Sequence, residues 1–195
     1  MQHAISGYLS LIPALSLYFA VLSLRGKRQT CSHIVLSFVF CFYVIGIWAA
    51  TGVWWIGSFS PRTDWIPFAG MMRGTILTAL NVLLFTPLGF LLPVLYKEID
   101  RAGKIATAGF LFSLSVEIMQ MFGTGTSDIN DLITNTAGAC LGYGIYRSAR
   151  RAIPGLQSRT ISVSGAQCYY ELAGYWLLAL LMMTTVQSKV FHLLF

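Results

Sequence analysis

Stretches of about twenty apolar residues recur along this chain, parted by short segments that carry most of its charge. A helix needs about 20 such residues to cross a hydrocarbon core roughly 30 Å thick. Lipid offers backbone N–H and C=O groups no partner, so a spanning segment must be a helix or part of a closed barrel. These runs are too long for barrel strands, which need only about 9–11 residues. The expected fold is therefore all-α, a polytopic transmembrane helix bundle of about six spans, near residues 5–24, 33–54, 76–96, 105–122, 129–145 and 172–187. The last two are the shortest. Only 10% of the residues are charged, against roughly 25% in soluble domains, and the spans leave no room for a separate soluble domain. One membrane domain over 1–195 is expected. Residues 55–75 are apolar but broken by Pro61, Pro67 and Gly70, which predicts an interfacial loop or a re-entrant segment.

Charge predicts the orientation. With six spans, the segments holding Arg25, Lys27 and Arg28; Lys97, Arg101 and Lys104; and Arg147, Arg150, Arg151 and Arg159 share one side, which takes 10 of the 13 Lys and Arg. Arg62, Arg73 and Lys189 fall opposite. The basic side is expected to be cytoplasmic, which places both termini outside. Trp54, Trp55 and Trp65 suit an aromatic belt near the outer boundary. The first apolar run lacks a basic start and is longer than a signal h-region, so it reads as a retained first helix.

The net charge of +6 is thus topological rather than a nucleic-acid footprint, which needs one basic face on a recognisable fold. No nucleic-acid partner is expected. None of Cys31, Cys41, Cys140 and Cys168 falls in an outer loop, so no disulfide is predicted. His3, His33 and His192 are scattered and no CxxC pair occurs, which argues against zinc. No internal repeat is visible.

Against this background one stretch stands out. Of the seven Asp and Glu residues, three sit in Glu117-Ile-Met-Gln120 and Ser127-Asp128-Ile-Asn-Asp131-Leu-Ile-Thr-Asn135, at the join of the fourth and fifth spans. Acids at the edge of lipid-embedded helices are costly and mark a site or a pairing. Glu117 and Gln120 share a helix face. Asp128, Asp131, Asn135, Gly138 and Gly142 follow spacings of 3, 4, 3 and 4, one stripe on one helix. Gly138 and Gly142 form a small-xxx-small pair that lets another helix come close. Asn135 has a plain role as an interhelical hydrogen bonder, and Ser127 or Asp128 as a helix cap.

Glu117 is the anomaly, because a helix C-terminal end disfavours an anion. A carboxyl in such surroundings can serve as general acid or base, with Asp131 beside it. The structural alternative is a pairing with Arg73 or Arg62. Asn81, on the outer half of the third span, lies at a similar depth, ahead of Pro87, which predicts a kink. The candidate catalytic residues are Glu117 and Asp131. The candidate ligand-binding residues are Asn81, Gln120, Asp128, Asn135 and Arg73. No cofactor or metal site is assigned, although three carboxylates and two amides are hard oxygen donors of the kind a divalent cation such as Mg²⁺ takes.

These motifs resemble the VanZ family of bacterial membrane proteins, named for a protein associated with teicoplanin resistance. The matching pieces are Pro67-Phe68, Asn81 through Phe85-Thr-Pro87-Leu-Gly89, Glu117-Ile-Met-Gln120, and Asp128 through Gly138 with Gly142. They cover roughly residues 62–146. Many family members carry an Arg in the loop before the Asp pair; here the loop is Gly123-Thr-Gly-Thr-Ser127, with Arg73 the nearest substitute. The resemblance implies a link to glycopeptide resistance or cell-envelope homeostasis. Three readings follow. The first is a factor that binds a lipid-linked envelope precursor or lipoglycopeptide at an outer-leaflet polar site, among membrane lipids. The second is a membrane enzyme acting on a lipid head group with Glu117 as acid or base. The third is a lipid transporter or flippase, which no inverted repeat supports.

Overall fold

The structure is a computed structural model and describes residues 2–27, 29–53, 57–59, 62–64, 66, 75–123, 126–153 and 165–187. The apolar runs are helices: α1 Gln2–Leu24, α2 Cys31–Ala50, α3 Thr75–Leu95, α4 Ala102–Gln120, α5 Ile129–Ala152 and α6 Gln167–Leu181. A π-helical turn, Met182–Val186, extends α6, and a 3₁₀ turn, Lys97–Ile99, joins α3 to α4. The fold is all-α, as expected. By length and composition, α1, α2, α3 and α4 can each cross a membrane. α5 runs past its expected end at 145 to Ala152, and the added turns carry Arg147, Arg150 and Arg151, cations that suit a helix C-terminus.

Lipid exposure explains the outer faces. Ile76, Leu77, Leu80 and Leu83 of α3 are each more than half exposed, a contiguous apolar strip that water would not tolerate on a soluble protein. This is a membrane protein.

The helices form two compact units, Met1–Ile56 with Ser158–Phe195, and Gly57–Gln157. In the second, α5 packs along both α3 and α4. The predicted small-residue stripe makes this contact. A Cβ on Gly138 would fall 2.3 Å from the Val82 carbonyl oxygen, and one on Gly142 1.8 Å from that of Thr86. The same holds from the α3 side, where a Cβ on Gly89 would fall 1.8 Å from the Ala139 carbonyl oxygen. Helix backbones therefore touch, which only small residues permit. α3 passes through Pro87 and Pro93 as one helix.

The segment expected to be a loop or re-entrant stretch over 55–75 does more in its described part. Gly57 N–H donates to the Phe122 carbonyl (2.6 Å), and the Phe59 ring meets that of Phe122. A short strand, β1 Thr63–Asp64, pairs in parallel with β2 Ser127–Asp128 just ahead of α5. Pro61, Pro67, Phe68, Gly70, Arg73 and the three belt tryptophans lie outside the described residues, as do Arg159 and Lys189.

In the other unit α2 packs on α1 and α6 around Leu11, Leu15, Phe40, Ile45 and Trp48, all fully buried. Trp48 and Trp176 rings lie 4.5 Å apart. Thr30 caps α2 by accepting the His33 N–H. All four cysteines are free thiols.

Candidate functional site

The N-terminal part of α3, the C-terminal end of α4 and the start of α5 meet at one end of the Gly57–Gln157 unit, and the sequence's acids and amides gather there. Asp128 is the N-cap of α5: its Oδ1 accepts both the Asn130 backbone N–H and Nδ2, each at 2.8 Å. The capping role read from sequence is therefore its role.

Glu117 is buried, 6% exposed, and its Oε2 accepts the Asp128 N–H at 2.9 Å. This resolves its misplacement at the negative end of α4. The carboxylate reaches across to the first free N–H groups of α5, the positive end of another helix dipole. The Ser127 hydroxyl completes the join by donating to the Glu117 carbonyl oxygen at 2.6 Å. Ser127 N–H goes to the Arg62 carbonyl at 2.8 Å. The loop before α5 is thus fixed on both sides.

Asp131, one turn further along α5, is half-buried, and its Oδ1 accepts from Asn81 Nδ2 of α3 at 2.6 Å. Asn135, one turn deeper, turns to the other neighbour: its Nδ2 donates to Ser113 Oγ of α4 at 2.9 Å. The single stripe of the sequence is therefore shared between two partners. Asp131, Gly138 and Gly142 meet α3, and Asn135 meets α4. Asn135 is 3% exposed, and among the described residues its buried Oδ1 has no hydrogen-bond partner. Gln120 closes the α4 side, one turn beyond Glu117.

Among the described residues no Lys or Arg pairs with Glu117, Asp128 or Asp131. The structural alternative, a pairing of Glu117 with Arg62, is not formed, and Arg73 lies outside the described residues. The opposite end of the same unit differs. There Asp100 pairs with Arg150 and accepts the Tyr143 hydroxyl at 3.0 Å. One end of the unit pairs Asp100 with a cation, and at the other the described residues offer Glu117, Asp128 and Asp131 neutral donors.

Sequence reasoning missed Asp64 and Ser113, and read Ser127 only as a candidate helix cap. Asp64 sits on β1 in register with Asp128, adding a fourth carboxylate that no helical spacing reveals. Ser113 and Ser127 are buried hydroxyls whose partners are 22 and 10 residues away in sequence. Among the described residues, no three His, Cys, Asp or Glu side chains gather into a group able to hold a metal ion.

Comparison with known proteins agrees with the motif resemblance. The model of the VanZ/LLP1 family matches residues 8–150. Protein VanZ of Enterococcus faecium is 46% identical over 67 residues, which is 34% of this chain and 41% of that protein. The match therefore spans less than half the length of that relative. No solved structure matches the chain.

Proposed function

The chain belongs to the VanZ/LLP1 family, and from that premise we propose that the acid-rich end of α3, α4 and α5 binds the polar head of a lipid-linked envelope precursor or a lipoglycopeptide. Protection against teicoplanin-type glycopeptides is the consequence we infer. The observation that carries this reading is the set of carboxylates held by neutral donors alone, with no Lys or Arg paired to them among the described residues. A carboxylate in a lipid-facing helix bundle is expensive unless a partner offsets it. Head groups rich in O–H and N–H donors, or bearing an amine, supply that partner. The apolar strip of α3 beside Asn81 suits the lipid tail.

Orientation follows from charge. The Asp100–Arg150 end carries Lys97, Arg101, Lys104, Arg147 and Arg151 as well, which makes it the cytoplasmic end by the positive-inside rule. The acid-rich end then faces out from the inner membrane, where glycopeptides and envelope precursors are met.

The test uses purified protein in lipid nanodiscs with fluorescent teicoplanin and with an extracted polyprenyl-linked precursor as probes. Glu117→Gln keeps an acceptor for the Asp128 N–H, so the fold should persist while binding weakens at least fivefold. Asp131→Asn should act in the same direction. Unchanged affinity in both variants sinks the proposal. Burial of Glu117 near Asp131 favours one second reading, acid–base chemistry on the head group. In that case prolonged incubation consumes the precursor and Glu117→Gln stops it outright.

A further inference from the structure

A second polar cluster lies in the Met1–Ile56/Ser158–Phe195 unit, where the C-terminal end of α1 and the N-terminal ends of α2 and α6 come together. Glu171 of α6 is 7% exposed. Its Oε1 lies 3.1 Å from Nε2 of the fully buried His33 and also accepts the Tyr175 hydroxyl. Tyr175 is itself 3.0 Å from Ser37 Oγ, which donates to the His33 carbonyl at 2.8 Å. One carboxylate oxygen is thus fully engaged. The other, Oε2, is buried and has no hydrogen-bond partner among the described residues.

Glu171 belongs to the wall of a cavity of about 730 Å³. Leu15, Leu17, Tyr18, Val21 and Leu178 give the cavity apolar sides. Gln29 also lines it, and Gln29 Oε1 is a second buried acceptor without a partner among the described residues. Lys27, exposed, stands on the same wall. Leaving buried acceptors unmade costs about 1–3 kcal/mol each, more for a charged group. Two residues of one largely apolar wall thus each carry such an acceptor, and a donor group, preferably cationic, on an apolar body is what would complement them.

We propose that this cavity binds an amphiphile with a primary ammonium head, such as an aminophospholipid. The ammonium donates to Glu171 Oε2 and Gln29 Oε1. The phosphate beside it meets Lys27, whose long stem lets the charge reach the membrane interface. The acyl chain lies along the apolar faces of α1 and α6. An ammonium fits better than a hydroxyl head because it offers three N–H donors and a charge opposite to that of Glu171.

The test compares phosphatidylethanolamine, its N-trimethylated counterpart phosphatidylcholine, and phosphatidylglycerol, all with the same acyl chains. Each is added to delipidated full-length protein, and binding is read by native mass spectrometry and by the shift in melting temperature. Phosphatidylethanolamine is expected to bind at least tenfold more tightly than either other lipid. Glu171→Gln should shrink that preference to about twofold or less. Gly174 lines the cavity, and a Cβ there meets nothing within 4 Å, so Gly174→Phe starts a ring in open space at the cavity wall and should abolish retention. If Glu171→Gln fails to fold, Gly174→Phe decides the matter by itself. Equal binding of phosphatidylcholine or phosphatidylglycerol overturns the ammonium assignment. Wild-type retention in Gly174→Phe overturns the cavity. Displacement by O-phosphoethanolamine, which has the head without the chains, overturns the amphiphile. Glu117→Gln lies in the other unit and should leave all of these readings unchanged, so failure of the proposal for the acid-rich end is seen separately.

Discussion

The two units of this protein solve the same problem, polar groups inside an apolar bundle, by opposite means. In the Gly57–Gln157 unit, helices touch backbone to backbone at Gly89, Gly138 and Gly142, and each cross-helix polar contact at the acid-rich end joins a carboxylate or amide to a neutral group. In the Met1–Ile56/Ser158–Phe195 unit, large side chains such as Trp48, Phe40 and Trp176 keep the helices apart, and one buried carboxylate is met by a histidine and a tyrosine. In the first unit the helices touch, and its acids gather at one end. Bulky spacing leaves a cavity along the helices of the second. Both units bury their polar groups; the first gathers them at one end of touching helices, and the second sets its carboxylate beside a cavity.

The sharpest way to break this contrast is to exchange the sizes. Gly142→Leu drives a side chain into the Thr86 carbonyl and should cost about 3 kcal/mol or more, since overpacking without room to relax is among the larger single-residue effects. Gly174→Leu, in the other unit, meets open space and should leave the melting temperature at or above that of wild type, because leucine also favours the helix. Melting of the purified variants in one detergent reads both. Equal losses in the two would erase the distinction.

Smaller effects test the polar contacts. Asn81→Leu removes the donor to Asp131 and should cost about 1–3 kcal/mol. The double variant with Asp131→Leu should recover part of that loss, since both partners are then apolar. Tyr175→Phe withdraws the hydroxyl from Ser37 and Glu171 and should cost about 1–2 kcal/mol, leaving teicoplanin binding unchanged. Asp128→Ala, loss of a cap, should cost about 1 kcal/mol, while Asp128→Asn changes stability by only a few tenths. A larger loss for Asp128→Asn than for Asp128→Ala would contradict the cap.

The acid-rich end was legible in the part contributed by α5, whose members recur at i, i+3 and i+4, and because lipid makes every acid conspicuous. Asp128, Asp131, Asn135 and the glycines follow that spacing, and their common face points into the bundle as read. Asp64 was not legible, since a two-residue strand pairing across 64 positions leaves no periodic trace. Glu171 was passed over for a similar reason: its partner His33 lies 138 residues away in sequence.

By itself, then, the sequence determined that this chain is a helical membrane protein, which residues are small enough for helix contact, and that Glu117 stands at a helix end that disfavours it. Hydrophobic length, helical period and charge are local quantities, readable wherever they occur. Tertiary structure alone decided that Glu117 serves the N-terminus of α5, that Asp131 and Asn135 turn to different neighbours, and that Glu171, beside a cavity, keeps one oxygen without a partner among the described residues. Those outcomes depend on which helix lies opposite, and helix association in lipid is set by the fit of whole surfaces rather than by any single segment.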